Sequence, residues 1–162
     1  MASLKNTKAW KLFSQFIRLR DGGVCFTCDD RKSWKLQHAG HYIHRNKSTF
    51  FDEMNVNCHC VVCNTWNHGK RGEYAVKLID KYGRKKFNDL VKRSIQTKNW
   101  SPKELKEIER LYISKIYLMK ELQLDDEPIK EKKRKVCIHK MVSYYCSMCM
   151  PRKKIDKKKK EE

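Results

Sequence analysis

The sequence predicts an α+β fold: a treble clef built around zinc, helices added behind it, and a small second zinc knuckle towards the C-terminus. Two C-x-x-C pairs, Cys25/Cys28 and Cys60/Cys63, stand about 35 residues apart, the spacing at which two knuckles share one tetrahedral ion. The interval between them alternates as a hairpin does, and helical periodicity follows the second pair.

Composition bounds the rest. A chain of 162 residues holds one domain of ordinary size with an appendage. Its 38 Lys and Arg against 19 Asp and Glu give a net charge of +19, well beyond what solubility needs, so a polyanionic partner is expected, nucleic acid ahead of an anionic membrane surface. No apolar run approaches the roughly 20 residues that span a bilayer, and the N-terminus lacks the apolar core of a signal peptide. The chain therefore reads as cytoplasmic. Thiols stay reduced there, which favours metal ligation or burial over disulfides for the eight cysteines.

Residues 5–20 carry Trp10, Phe13, Phe16 and Ile17 at helical spacing, and Asp21-Gly22-Gly23 stops that helix. The Cys25/Cys28 knuckle follows. Residues 34–43 alternate as a strand that Gly40 weakens or bulges. A polar loop from Arg45 to Asn55 leads to a returning strand at 56–60, and a helix is expected from Asn64 onward. Two helices lie between Tyr74 and Ile95, broken near Tyr82-Gly83. Ser101-Pro-Lys-Glu104 is a capping box with proline at the first helical position, opening a helix to about residue 123. Residues 1–123 form the main domain and 124–136 a charged linker. Residues 137–150 are a Cys/His module and 151–162 a basic tail expected to be disordered.

Four thiolates from Cys25, Cys28, Cys60 and Cys63 leave a zinc ion no open position, so this first site is structural. In so small a core the metal would supply folding free energy on the order of 10 kcal/mol. Cys58 stands outside the x-x spacing and is assigned to the hydrophobic layer. Asn64 and His68, at i and i+4 of the expected helix, would reach one ion or one phosphate oxygen. His38 and His41 come from the strand opposite. A hairpin histidine beside a helix carrying a ligand pair suits phosphodiester hydrolysis: an imidazole takes a proton from water while a divalent cation polarises the phosphate. The bland alternative is a basic treble clef that binds DNA without cutting it. His44 and His59 receive no task.

The order Cys25-x2-Cys28, Gly40-His41, Asn55, Cys60-x2-Cys63-Asn64-x3-His68 resembles the zinc-containing HNH (ββα-metal) endonucleases. The phrases His38-Ala-Gly-His41-Tyr and Cys60-Val-Val-Cys-Asn64, with Gly72-Glu-Tyr74 and a Leu/Ile-rich helix to Tyr82-Gly83, look more specifically like the phage NinG/Rap recombination family over roughly residues 5–98. The resemblance implies that His41 is the general base, that Asn55 braces the hairpin loop and orients it, and that Asn64 and His68 bind a catalytic Mg²⁺ or Mn²⁺. One departure concerns the position before the base, where HNH enzymes carry a metal-binding His or Asp and this chain has Gly40. His38 would substitute if the strand bulges at Ala39-Gly40, with water and phosphate oxygens completing the shell.

Lys70 and Arg71 would hold phosphates beside the cut, and Arg45, Lys85 and Lys86 extend the basic surface, adding salt-sensitive affinity. Cys137, His139, Cys146 and Cys149 form the second zinc knuckle, with Tyr144 and Tyr145 placed to stack on unpaired bases. The expected activity is metal-dependent cleavage of DNA in phage recombination, as the resemblance implies on branched substrates such as Holliday junctions or displacement loops. The alternative is a noncatalytic zinc-stabilised DNA-binding accessory in recombination or packaging. A homodimer would suit a symmetric junction, other recombination proteins are conceivable partners, and no membrane is involved.

Overall fold

The computed structural model describes residues 3–44 and 47–126, with side chains as far as Glu121. Arg45, most of the linker, the second knuckle (Cys137, His139, Cys146, Cys149) and the basic tail lie outside the described residues. The chain divides into the units Met1–Gln123 and Leu124–Glu162, and the description below concerns the first.

Helix α1 spans Lys8–Arg20. Thr7 caps it, its hydroxyl accepting from the Trp10 N–H at 3.2 Å, and the 3₁₀ turn Leu4–Asn6 precedes it. The face carrying Ala9, Phe13, Phe16, Ile17 and Leu19 is buried. A two-stranded antiparallel hairpin follows, β1 at His38–His41 and β2 at Val56–His59, with His38 opposite His59 and Gly40 opposite Asn57. The expected first strand is thus shortened: Trp34–Leu36 forms a 3₁₀ turn instead. Arg18 reaches across from α1 to the Trp34 and Gln37 carbonyls, and the buried Gln37 amide donates to Gly23 O at 2.8 Å, which folds this stretch against the helix rather than extending it.

Arg20 and Asp21 tie α1 to β2. Arg20 donates to Glu53 O, Val56 O and Asn57 Oδ1, while the Cys58 N–H donates to Asp21 Oδ2 at 2.7 Å. Bonds from a charged side chain are the stronger kind, so this junction fixes the hairpin on the helix.

Beyond Cys60 and Cys63 the chain departs from one continuous helix. Val62–Trp66 is a single π turn, and His68 (φ +48°), Gly69 (φ +83°) and Lys70 (φ +45°) then run through the left-handed region before α2 begins at Arg71. Asn64 N–H bonds to Cys60 O and Gly69 N–H to Cys63 O, so the knuckle holds both the turn and the break. The break costs about 1 kcal/mol at each non-glycine residue, a strain that surrounding structure must hold.

Helices α2 (Arg71–Tyr82) and α3 (Arg84–Ser94) meet at Gly83, as the sequence predicts. Helix α4 (Pro102–Asp126) opens on the predicted capping box: Glu104 accepts from Ser101 N–H and Oγ, and Ser101 Oγ accepts from Glu104 N–H. It ends three residues inside the expected linker. Tyr112 and Ile116 of α4 join Phe13, Phe16, Phe50, Phe51 and Val56 in the main core, and Tyr112 and Lys115 both bond to Glu53 in the hairpin loop. Among the described residues no helix is long and apolar enough to cross a membrane.

Candidate metal centre and adjoining cleft

The sulfurs of Cys25, Cys28, Cys60 and Cys63 all lie within 4.8 Å of one another. Cys28 Sγ and Cys60 Sγ are 3.8 Å apart, close to the edge of a tetrahedron with Zn–S bonds of about 2.3 Å. This cluster can hold a metal such as zinc. Burial raises thiol pKa values, but at Cys25 hydrogen bonds from the Thr27 hydroxyl and from the Cys60, Cys28 and Thr27 backbone outweigh it and bring the thiol down to about 6. Cys28 and Cys63 are held above the usual thiol range, burial being the chief cause. Cys58 stands apart, fully buried, and burial with the nearby Asp21 charge pushes its thiol up to about 12. Such a thiol stays protonated and packs as a small hydrophobe.

The turn after the knuckle leads into an open cleft of about 620 Å³ lined by His44, Asn64, Asn67, His68 and Arg71. Asn64 and His68 thus share a cleft as expected, although not as an i, i+4 pair on one α-helix: the left-handed residue His68 brings its side chain there by a turn. The Asn64 amide nitrogen donates to His38 Nδ1 at 3.1 Å, which adds His38 to the same rim. Arg71 also lines a neighbouring depression of about 370 Å³ with Tyr42, Ile43, His44, Val91 and Ser94. Lys70 pairs with Glu73 at 3.8 Å, and Lys85 and Lys86 are exposed on α3 away from the cleft lining.

His41 is placed differently from the expectation that it faces Asn64 and His68. Strand side chains alternate, and His41 belongs to the face of β1 that packs on α1. Its ring stacks on Trp10 at 5.0 Å and meets Phe50 at 4.9 Å, with Nε2 donating to Phe50 O at 3.0 Å. Burial lowers its pKa to about 4, keeping it neutral. Asn55, fully buried, braces the hairpin loop: Oδ1 accepts from Ile43 N–H at 2.7 Å, and Nδ2 donates to Ile43 O and to the carbonyl and hydroxyl of Thr49.

His59, given no task by the sequence, is placed where the hairpin meets Asn64. It is fully buried on the face of the hairpin that carries His38 and Gly40, and the Tyr74 ring packs on it edge to face at 4.6 Å. The Tyr74 hydroxyl donates to Gly40 O at 2.9 Å and accepts from Asn57 Nδ2, which locks the aromatic in place. Burial lowers the His59 pKa to about 4. An ideal Cβ on Gly40 would lie 2.2 Å from His59 Nδ1 and 2.6 Å from Asn64 Oδ1, so residue 40 has to be glycine for these two side chains to sit there. Hairpin parity was the available signal, since a register opposing residues 38 and 59 puts both histidines on one face. Trp66, 74% exposed on the π turn beside Asn64, had no such signal, because an aromatic next to a knuckle reads equally as core.

Comparison with known proteins places the chain in a phage family over nearly all of the described residues. The profile of the family described as Bacteriophage Lambda NinG protein matches residues 3–123. The proteins named Protein ninG from Escherichia phage 933W and Escherichia phage lambda are each 31% identical to this chain over 114 residues, covering 67% of it and 55% and 54% of themselves. Protein ninG of Salmonella phage P22 is 32% identical over a stretch of the same length. The chain spans about half the length of the curated relatives it matches. No solved structure matches.

Proposed function

The chain belongs to the bacteriophage NinG family, and from that premise we propose that it is a metal-dependent endonuclease of the HNH type, cutting branched DNA during phage recombination. The observation that carries this reading is the convergence of His44, Asn64, Asn67, His68 and Arg71 on one open cleft directly behind a four-thiol knuckle, with His38 bonded to Asn64. A nitrogen- and oxygen-rich rim beside a rigid metal anchor suits a divalent cation, Mg²⁺ or Mn²⁺, on Asn64, His68 and His38. Such a cation would polarise the scissile phosphate and stabilise the leaving oxygen.

The residues supply the rest. His44, on the cleft wall, takes a proton from water as the water oxygen bonds to phosphorus and the phosphorus–oxygen ester bond breaks. The proton then passes to the departing oxygen. Arg71, exposed in the cleft, and the neighbouring Lys70 hold flanking phosphates. Trp66 offers a flat apolar face to an unpaired base, the feature that separates a branch from plain duplex. The surplus of positive charge adds affinity that falls steeply with salt.

A second reading keeps His41 as the base. The Phe50 carbonyl fixes its tautomer, protonating Nε2 and leaving Nδ1 with the lone pair that a base needs.

Zinc-loaded full chain incubated with four-way, displacement-loop and linear DNA in Mn²⁺ or Mg²⁺ tests both. We expect cleavage of branched DNA and a loss of at least 100-fold in His44→Ala with binding retained. Loss in His41→Ala alone would transfer the base role. Binding without cleavage under every condition would leave a noncatalytic zinc-stabilised DNA-binding protein as the function.

A further inference from the structure

His59 contributes two buried ring nitrogens that have no hydrogen-bond partner among the described residues. A buried polar atom left unpaired is costly, and native structures rarely tolerate one without a water or an ion to satisfy it. The ring is not adrift. Tyr74 packs on its edge, β2 fixes its backbone, and Nδ1 points at the space that glycine leaves open at position 40. Asn64 Oδ1 borders the same space, and the Asn64 amide nitrogen reaches His38 Nδ1 on the far side. Two donors, an imidazole nitrogen and an amide oxygen, therefore border one spot beside Gly40, and Asn64, which also lines the cleft, holds His38 next to it.

We infer that His59 is a ligand of the cleft cation, supplied by β2 in place of a side chain at residue 40, and that the site selects an imidazole-accepting transition metal such as Mn²⁺ or Co²⁺ over Mg²⁺. The inference rests on the cation reading of the cleft and extends it. A neutral imidazole has one lone pair, and the nitrogen aimed at Asn64 is the one to donate it. Mg²⁺ demands oxygen donors in near-octahedral order and gives up its waters reluctantly, whereas Mn²⁺ and, more strongly, Co²⁺ accept imidazole nitrogen in a mixed shell. Glycine at position 40 is then part of the ligand set's architecture: any Cβ there would displace Nδ1.

The test uses zinc-loaded full chain, so that the thiol sites are already filled. Mn²⁺ is added while histidine ring signals are followed by NMR and bound Mn²⁺ by electron paramagnetic resonance. We expect Mn²⁺ to bind, to broaden His59 and His38 ring signals well before those of His41, and to resist a 100-fold excess of Mg²⁺. His59→Gln should weaken Mn²⁺ binding at least tenfold while zinc content stays unchanged. If Mn²⁺ binds and broadens His38 while His59 stays sharp, His59 is no ligand though the cation reading survives. Displacement of Mn²⁺ by equimolar Mg²⁺ would overturn the selectivity. If no Mn²⁺ binds, the ligand assignment falls, and cleavage assays in Mg²⁺ alone decide the nuclease reading separately. The ring signals come from the unaltered protein, so a His59→Gln variant that fails to fold leaves the test intact.

Discussion

Gly40 and His59 are fitted to each other across the hairpin: the imidazole of one occupies the volume in which a side chain on the other would begin. Gly40→Ala is therefore expected to cost about 1–3 kcal/mol, the usual range for overpacking a filled core. Truncating the opposing ring should relieve it. Urea titrations of Gly40→Ala, His59→Ala and the double variant will show positive coupling if the contact is as described, and simple additivity if it is not.

The four-thiol knuckle and the isolated thiol should respond in opposite ways to the same substitution. Cys60→Ser is expected to remove one zinc per chain and unfold residues 3–123, because a structural zinc supplies folding free energy on the order of 10 kcal/mol. Cys58→Ser should keep the metal and only soften the core. Metal content by atomic absorption and far-ultraviolet circular dichroism check both, and equal damage would overturn the ligand set.

His41 makes stability depend on pH. Its folded pKa, about 4, lies below the value of about 6.5 that the unfolded chain would show. The unfolded chain thus binds more protons between these values, and the stability present above pH ~6.5 is lost as pH falls towards 4, at up to about 1.4 kcal/mol per pH unit. His41→Gln, which can still donate to Phe50 O, should flatten this slope in denaturation curves taken from pH 7 to 4. An unchanged slope would mean that the ring is not buried neutral.

Asn55→Ala should open the hairpin loop. It removes the partner of Ile43 N–H and the donor to Thr49 O in a fully buried place, a loss of about 2–4 kcal/mol with charge absent. Amide hydrogen exchange at Ile43 should accelerate accordingly, while exchange at Cys58 N–H, held by Asp21, should not change.

Trp66→Ala should lower affinity for DNA with unpaired bases by about 1–3 kcal/mol, the worth of one stacked base, and leave duplex affinity alone. Fluorescence anisotropy on junction and linear probes reads this directly. Equal losses on both would make Trp66 a general contact and not a reader of branches.

The knuckles, the first helix and the capped fourth helix were legible in the sequence because each is fixed by local chemistry. Cys spacing defines a tetrahedron, Thr7 and Ser101 satisfy N–H groups within their own turns, and the periodic apolar face of α1 needs only its own residues. The shortened first strand was not legible, since Arg18 and Gln37 fold residues 34–36 through bonds to distant carbonyls. Nor was the break at His68-Gly69-Lys70, which depends on Cys63 O accepting from Gly69. Along the cleft, the nearness of Asn64, His68 and Arg71 was legible because they follow the knuckle directly. His44 and His59 needed the register of a hairpin whose ends the sequence did not fix, and the face taken by His41 follows from Trp10, a residue 31 positions away in the chain.

The hydrogen bonds from Asn64 N–H to Cys60 O and from Gly69 N–H to Cys63 O couple the cleft mechanically to the cysteine cluster behind it. An oxidant or electrophile that modifies these thiols never needs to enter the cleft. Loss of the thiols' hold would slacken the segment on which Asn64 and His68 ride while leaving every residue of the cleft chemically intact.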